Sequence, residues 1–163
     1  MVSHHRRLAF VGLLLAGLFA VSACSPAPAS PTSTLPTIPA GSTKQTKAIA
    51  SGTFVVAPGT ARDIGFYVDF GIYRPRVTGS FHASGGANDI EVFIANDEDY
   101  NSWNIGRRVT PLYNSGVTTA ADIDVLLRAT GHFHLVLNNK YSNAQKFVEV
   151  NIYVEWWEAP PSS

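Results

Sequence analysis

The sequence is poor in cysteine, in charged side chains and in net charge. Its 163 residues include one cysteine and 15% charged residues, with 12 basic side chains against 12 acidic ones. A single cysteine excludes an internal disulfide framework and a cysteine-cluster metal site. Nucleic-acid-binding proteins usually carry a basic surplus, so the even balance predicts no nucleic-acid partner. The length suits one compact domain with residues to spare.

Sequence motifs of known hydrolases are missing as well. No serine lies in a Gly-x-Ser-x-Gly turn, and no His-Glu-x-x-His sequence is present. Asp122 and Asp124 share a strand face, but they are expected to be solvated rather than poised for acid–base chemistry. We therefore predict that the protein is not an enzyme and uses no cofactor.

The N-terminal apolar run is too short to span a membrane. It covers residues 8–21, which is 14 residues, whereas a membrane-spanning helix needs about 20. The run follows the positively charged start Met-Val-Ser-His-His-Arg-Arg and precedes small residues. This arrangement is typical of a secretory signal rather than of a membrane anchor.

The run ends at the only cysteine, in the tetrapeptide Val21-Ser22-Ala23-Cys24. This tetrapeptide resembles the lipobox of bacterial lipoproteins, in which an aliphatic residue and two small ones precede a cysteine. The resemblance implies a signal peptide over residues 1–23 and a diacylglyceryl group on the Cys24 thiol. The protein would then be anchored by lipid to a cell membrane or outer membrane, outside the cytoplasm. The alternative is an ordinary secretory signal with an incidental cysteine.

A linker is predicted over residues 24–47, after the signal. Between residues 25 and 46 there are five prolines, nine serine or threonine residues and no acidic residue. Such a segment buries too little apolar surface to offset its ordering entropy, so it should be an extended, disordered tether. A domain over residues 48–158 follows, with 8 basic and 12 acidic side chains, and then a tail over residues 159–163.

The domain shows the alternating apolar and polar residues of half-buried β-strands. Residues 96–103 are polar and acidic, and are expected to form a loop with one helical turn. Eight short strands without a convincing amphipathic helix predict an all-β fold, an eight-stranded antiparallel β-sandwich. The predicted strands cover residues 52–56, 64–70, 74–84, 90–94, 109–113, 121–127, 132–138 and 148–156.

The last two strands also carry a family resemblance. The stretch GHFHLVLNNKYS at residues 131–142 and KFVEV at residues 146–150 resemble the end of GOLD (Golgi-dynamics) domains, and NDIEVFI at residues 88–94 resembles an upstream strand. The resemblance implies a GOLD-like or jelly-roll sandwich that acts as a protein- or lipid-interaction module without catalysis. The domain lacks the disulfide and the following coiled coil of the membrane-trafficking members, so inheritance of their function is not expected.

Several large side chains fall on the outward parity of their strands. An exposed aromatic cluster would mark a site for a sugar ring or a partner chain. The alternative is that loops or sheet curvature cover these residues. The ligand-binding candidates are Tyr67, Phe93, Tyr153 and Trp157, with Leu126 and Phe147 on the same parity.

Two possible metal sites are considered. His132 and His134 point to one face of their strand, and with His82 they could supply imidazoles to zinc or copper. The favoured interpretation is two half-exposed strand histidines without a metal. The acidic stretch at residues 96–99 could offer oxygens to calcium, but it lacks the EF-hand spacing and is expected to be a solvated loop. We therefore predict no metal site.

The sequence thus predicts a membrane-tethered, extracytoplasmic binding or interaction module that uses an aromatic outer sheet face. The membrane would be reached through the lipid on Cys24, and the partner would be a protein or a carbohydrate. The alternative is a structural or accessory envelope lipoprotein with no small-molecule ligand.

Overall fold

A computed structural model of the chain describes residues 35–161. Within this part, eight strands form two antiparallel four-stranded sheets, accompanied by one short helix. The predicted all-β class and two-sheet, sandwich-like architecture are confirmed. The elements are β1 (Thr43–Val56), β2 (Ala61–Val68), β3 (Ile72–Ser84), β4 (Ile90–Asn96), α1 (Asp97–Asn104), β5 (Tyr113–Thr118), β6 (Ala120–Leu126), β7 (Gly131–Asn138) and β8 (Lys146–Glu158).

The chain crosses repeatedly between the two sheets. The first sheet has the strand order β1-β8-β3-β6, and the second has the order β2-β7-β4-β5. Each sheet has two interior strands, and one of them, β8 in the first sheet and β7 in the second, comes from the end of the sequence. The predicted signal peptide and Cys24 lie outside the described residues, as does the first part of the linker. Among residues 35–161, no helix is both long and apolar enough to cross a membrane.

The core lies between the sheets and is built by the predicted alternation. On β8, Val148, Val150, Ile152 and Val154 are each at most 4% exposed, while the residues between them are polar or aromatic and face outward. On β7, in the opposite sheet, Phe133, Leu135 and Leu137 alternate in the same way and are buried in the core. Burial of each large apolar side chain stabilises the fold by about 1.5–3 kcal/mol relative to its exposure.

β1 begins earlier than predicted. It starts at Thr43, inside the segment expected to be a linker, and it pairs with β8 from Thr43 opposite Glu158 to Val56 opposite Lys146. Lys44 Nζ lies 2.9 Å from a carboxylate oxygen of Glu155 on β8. The threonine and lysine residues here fit an edge strand as well as a tether, so composition does not separate the two.

The fifth strand is also displaced from its predicted position. The prediction of a strand over residues 109–113 is wrong, because β5 begins at Tyr113, and Asn114-Ser115-Gly116 lies within the strand rather than ending it. The register between β4 and β5 shifts between Glu91 and Phe93, and the Val92 N–H donates to Ser115 Oγ at 2.9 Å. A tripeptide typical of turns therefore forms a β-bulge.

The predicted loop at residues 96–103 is mostly helix α1. Asn96 is its N-cap, since Asn96 Oδ1 accepts a hydrogen bond from the Asp99 N–H at 2.8 Å and its Nδ2 donates to Asp99 Oδ2 at 3.1 Å. Three acidic residues in the first turn interact favourably with the positive end of the helix dipole. The helix packs on the outer face of the second sheet, where Phe93, Ala95 and Val136 are buried.

Two polar groups are buried where the turns of the sandwich meet. Asn139 is fully buried, and its Nδ2 donates to three backbone carbonyls, those of Val56, Ala57 and Ala144. Lys146 opens β8 with a side chain 1% exposed, and its ammonium pairs with Asp89. These contacts fasten the segment between β7 and β8 to the end of β1 and to the loop between β3 and β4.

Candidate functional site

The four candidate aromatic residues do not form one surface. Tyr67 on β2 and Phe93 on β4 lie on the outer face of the second sheet, whereas Tyr153 and Trp157 lie on β8 in the first sheet. The outward parity is correct for all four. The two pairs nevertheless face opposite sides of the sandwich, so these four residues do not form a single aromatic outer face.

Phe93 is not available to a ligand. It is 2% exposed, because Trp103 of α1 packs against it edge-to-face with ring centroids 4.8 Å apart. The expectation that Phe93 contributes to an exposed aromatic surface is wrong, because residues 97–104 form a helix that covers it. Tyr153 and Trp157 are half-buried, and the Tyr153 hydroxyl donates to Asn151 Oδ1 at 2.6 Å.

Tyr67 instead borders a cleft at one end of the sandwich. The cleft has a volume of about 470 Å³, and its walls include three aromatic side chains, Tyr67, Phe70 and Trp156. Tyr67 is 55% exposed and Phe70 is 80% exposed. Charged groups of both signs complete the lining, namely Lys47, Asp69 and Glu158.

The alternation pattern does not identify Phe70 or Trp156 as cleft residues. Both fall on the inward parity of their strands. β2 ends at Val68, however, so that Phe70 lies in the following turn, and Trp156 lies near the end of β8, where the core opens to solvent. Trp156 Nε1 donates to Glu158 Oε1 at 3.0 Å.

A second group of polar side chains lies on the outer face of the second sheet. His132 and His134 point outward from β7, and Gly65 of β2 and Ala95 of β4 stand opposite His134 on its two sides. Asp63 precedes Gly65 by two residues and lies on the same face of β2. Asp97 reaches the group from the first turn of α1.

Both nitrogens of the His134 ring face carboxylates. Nδ1 lies 2.9 Å and 3.0 Å from the two oxygens of Asp63, and Nε2 lies 2.7 Å from Asp97 Oδ1. The same Asp97 oxygen lies 2.8 Å from His132 Nδ1. One carboxylate oxygen is therefore shared by two imidazoles. We call Asp63, Asp97, His132 and His134 the His–Asp cluster.

The electrostatics of the cluster follow from this arrangement. Only a doubly protonated imidazole can donate hydrogen bonds from both ring nitrogens, so His134 must be cationic to bond both carboxylates at once. The hydrogen bond from His134, and then that from His132, lowers the pKa of Asp97. The two imidazoles thus lie between two carboxylates, with one Asp97 oxygen shared by both rings.

Tyr100 covers the cluster. Its ring stacks on the His134 imidazole with centroids 3.9 Å apart and an interplanar angle of 8°. Burial raises the pKa of Tyr100, with a smaller contribution from the charge of Asp63. His134 is 6% exposed, so the expectation that it is half-exposed is wrong, whereas the His132 side chain is 42% exposed, as expected.

His82 does not join the two histidines. It lies on β3 in the first sheet, opposite Glu149 of β8, and the third ligand-type group is Asp97. One ligand atom from each of Asp97, His132 and His134 lies within 4.8 Å of the others. The sequence could suggest Asp97 only through its place beside the N-cap, and Asp63 only if the pairing of β2 with β7 were known.

The stretch at residues 96–99 is not a calcium loop of free oxygens. Asn96 and Asp99 bond one another as the cap of α1, and Asp97 faces the two histidines. The expectation of a merely solvated loop is likewise replaced by a helix start with one acidic side chain directed at the sheet.

Comparison with known proteins gives no assignment. The chain matches no protein-family model and no curated protein sequence. Function is therefore argued from the chemistry of the sites, because one fold supports many functions.

Proposed function

We propose that the protein is a membrane-tethered, extracytoplasmic binding module whose ligand occupies the cleft at the end of the sandwich. The lipobox-like tetrapeptide ending at Cys24 supports the tether. The observation that carries the binding function is the convergence of Tyr67, Phe70 and Trp156 on one cleft. The proposal keeps Tyr67 from the predicted aromatic face and replaces the other three candidates.

The size and lining of the cleft suit a ring-shaped polar ligand. A volume of about 470 Å³ lies within the range of about 300–1,000 Å³ that is common for small-molecule sites. Aromatic faces stack on the apolar face of a sugar ring, and charged groups at the rim bond its hydroxyls. A carbohydrate, as in a cell-wall polysaccharide, therefore fits better than a purely apolar compound.

The cost of the exposed aromatics gives a second argument. Phe70 is 80% exposed in the turn that follows β2. Exposure of large apolar side chains to water is unfavourable, and those that cluster at a concave surface commonly mark binding sites.

The cleft is tested by substituting its exposed aromatics. We expect the double variant Tyr67→Ala/Phe70→Ser to bind soluble cell-wall polysaccharide fragments about 5- to 150-fold more weakly, since each of the two lost stacking contacts costs about 0.5–1.5 kcal/mol. The full-length protein is titrated with these fragments, and binding is followed by tryptophan fluorescence, because Trp156 lines the cleft.

Phe147→Ser is the matched control for this titration. Phe147 is 43% exposed and lies at the start of β8, away from the cleft lining. Its variant should bind like the wild type. Equal weakening by both substitutions would contradict the site. Absence of any saturable signal from the wild type would instead favour the alternative, a structural or accessory envelope lipoprotein without such a ligand.

The tether is tested separately from the ligand. Cys24→Ala should move the protein from the membrane fraction to the soluble fraction, because the thiol that receives the lipid is removed. Fractionation of cells and metabolic labelling with a fatty acid measure the change. Retention of Cys24→Ala in membranes with no loss of label would contradict lipidation at this residue.

A further inference from the structure

We propose that the His–Asp cluster is a binding site for a divalent transition-metal ion, with zinc as the best fit. The ligands would be His132 Nδ1, His134 Nε2 and a carboxylate oxygen of Asp97. This site is separate from the aromatic cleft and does not depend on the proposed function. It also departs from the sequence-based expectation of no metal, since the third ligand comes from α1 and not from His82.

The positions of the three ligand atoms support the proposal. Both histidine nitrogens are directed at one oxygen, at 2.8 Å from His132 and 2.7 Å from His134, so their lone-pair directions converge. Around a tetrahedral zinc ion with bonds of about 2.0–2.1 Å, ligand atoms stand about 3.3 Å apart. Outward movement by about half an ångström makes room for the ion, and α1 can provide it because the Asp97 side chain is 60% exposed.

Asp63 supplies the outer partner that such a site requires. Metal-bound histidines almost always donate their other ring N–H to a carboxylate or carbonyl, which sets the tautomer and the ring orientation. Asp63 accepts from His134 Nδ1 with both oxygens, at 2.9 Å and 3.0 Å. This bond leaves Nε2 free to act as the ligand. Asp63 is thus a positioning residue for the metal.

The charges of the cluster match a dication. Two carboxylates and two neutral imidazoles carry a charge of −2, which one divalent ion neutralises. Imidazole nitrogens favour zinc, copper, nickel or cobalt over magnesium and calcium, which prefer oxygen ligands. Three protein ligands leave a fourth position for water or a ligand, and the half-exposed His132 places that position towards solvent.

Small residues in the sheet make space for the imidazoles. A Cβ atom on Gly65 would lie 2.7 Å from His132 Nε2 and 3.2 Å from its Cε1. The backbone there does not require glycine, so the missing side chain serves the ring. Ala95 stands on the other side of His134, and Tyr100 stacks on the His134 ring. Gly65 therefore leaves room for the His132 ring, and the Tyr100 ring covers that of His134.

The test uses the full-length protein in detergent. Metals are first removed from the protein with EDTA, and zinc binding is then measured by calorimetric titration with zinc chloride. We expect one zinc ion per chain. His132→Ala should weaken binding more than about 100-fold, because loss of a ligand costs more than loss of an outer partner, and Asp63→Asn should weaken it about 10- to 100-fold. Gly65→Ala should weaken binding by displacing the His132 ring.

His82→Ala is the matched control, since it removes an exposed strand histidine from the other sheet. Its affinity for zinc should equal that of the wild type. The variant His132→Ala/His134→Ala measures the background from all other residues, including His4 and His5. Circular dichroism verifies that His132→Ala remains folded, which its exposed position makes the expected result.

Cobalt substitution provides a readout that a purely structural hydrogen-bond cluster would not give. The wild type should show the intense visible absorption of tetrahedral cobalt, and His132→Ala should not. The proposal is overturned if the wild type binds no zinc, if it binds no more than the double variant, or if His82→Ala abolishes binding. Unchanged affinity in Asp63→Asn would remove the positioning role of Asp63.

Discussion

Replacing Asp89 by alanine is expected to lower the free energy of unfolding by about 3–5 kcal/mol, because it leaves the Lys146 ammonium buried without its partner. The Lys146 side chain is 1% exposed and that of Asp89 is 27% exposed. A charge removed from water is tolerated only when it is paired and hydrogen-bonded. Urea unfolding of the full-length variant, followed by circular dichroism, measures the loss.

Two further substitutions separate this effect from ordinary surface electrostatics. Lys146→Met should cost less than Asp89→Ala, since it removes the buried charge, and the remaining Asp89 can be hydrated. Asp124→Ala breaks an ion pair between two exposed side chains, Asp124 at 61% and Arg76 at 47%. It should lower the free energy of unfolding by less than about 1 kcal/mol. If Asp89→Ala costs no more than Asp124→Ala, the buried pair does not stabilise the fold as described.

Gly79→Ala is expected to destabilise the protein by about 3 kcal/mol or more, or to prevent folding. Gly79 lies in β3 beside β8 with φ +139°, and a Cβ atom there would lie 2.1 Å from the Asn151 carbonyl oxygen and 2.8 Å from Ile152 Cα. Both atoms are backbone of an interior strand, so relief requires the sheet to separate. Overpacking and an unfavourable φ each cost about 1–3 kcal/mol.

Gly52→Ala isolates the steric part of that loss. Gly52 also lies in a strand of the first sheet with a positive φ of +112°, but no atom lies within 4 Å of its added Cβ. Gly52→Ala should therefore lower the stability only through the unfavourable φ, without a steric clash. Thermal melting of the two variants should show the larger decrease for Gly79→Ala. Equal decreases would show that the approach of β8 to Gly79 is looser than the structure indicates.

The parts of the fold that follow from alternation could be predicted from the sequence. β8 is an example, since one face of this strand is aliphatic and the other polar or aromatic, and the structure buries the aliphatic one. Alternation fails where other interactions decide. Thr43 and Lys44 belong to a strand because β8 is long enough to pair with them, and no local pattern contains that information.

The sites were less accessible to prediction than the core. His132 and His134 could be placed on one face from their spacing, but their partners depend on which strands are neighbours. Asp63 lies 71 residues before His134, on another strand. Asp97 comes from a helix whose sequence resembles a polar loop. Alternation places Phe70 on the inward parity of the predicted strand over residues 64–70, because the sequence does not show that β2 ends at Val68.

The order of strands in the sheets also has a consequence for how the chain folds. β8 lies between β1 and β3, and β7 lies between β2 and β4, so neither sheet can close until residues 131–158 are present. Most pairings therefore join distant parts of the sequence, which is a topology that folds slowly. During synthesis β4 can pair with β5 and β3 with β6, but β1 and β2 have no partner strand until β8 and β7 are made. Under the proposed export across a membrane, the late synthesis of β7 and β8 would delay closure of the sandwich until most of the chain has been made.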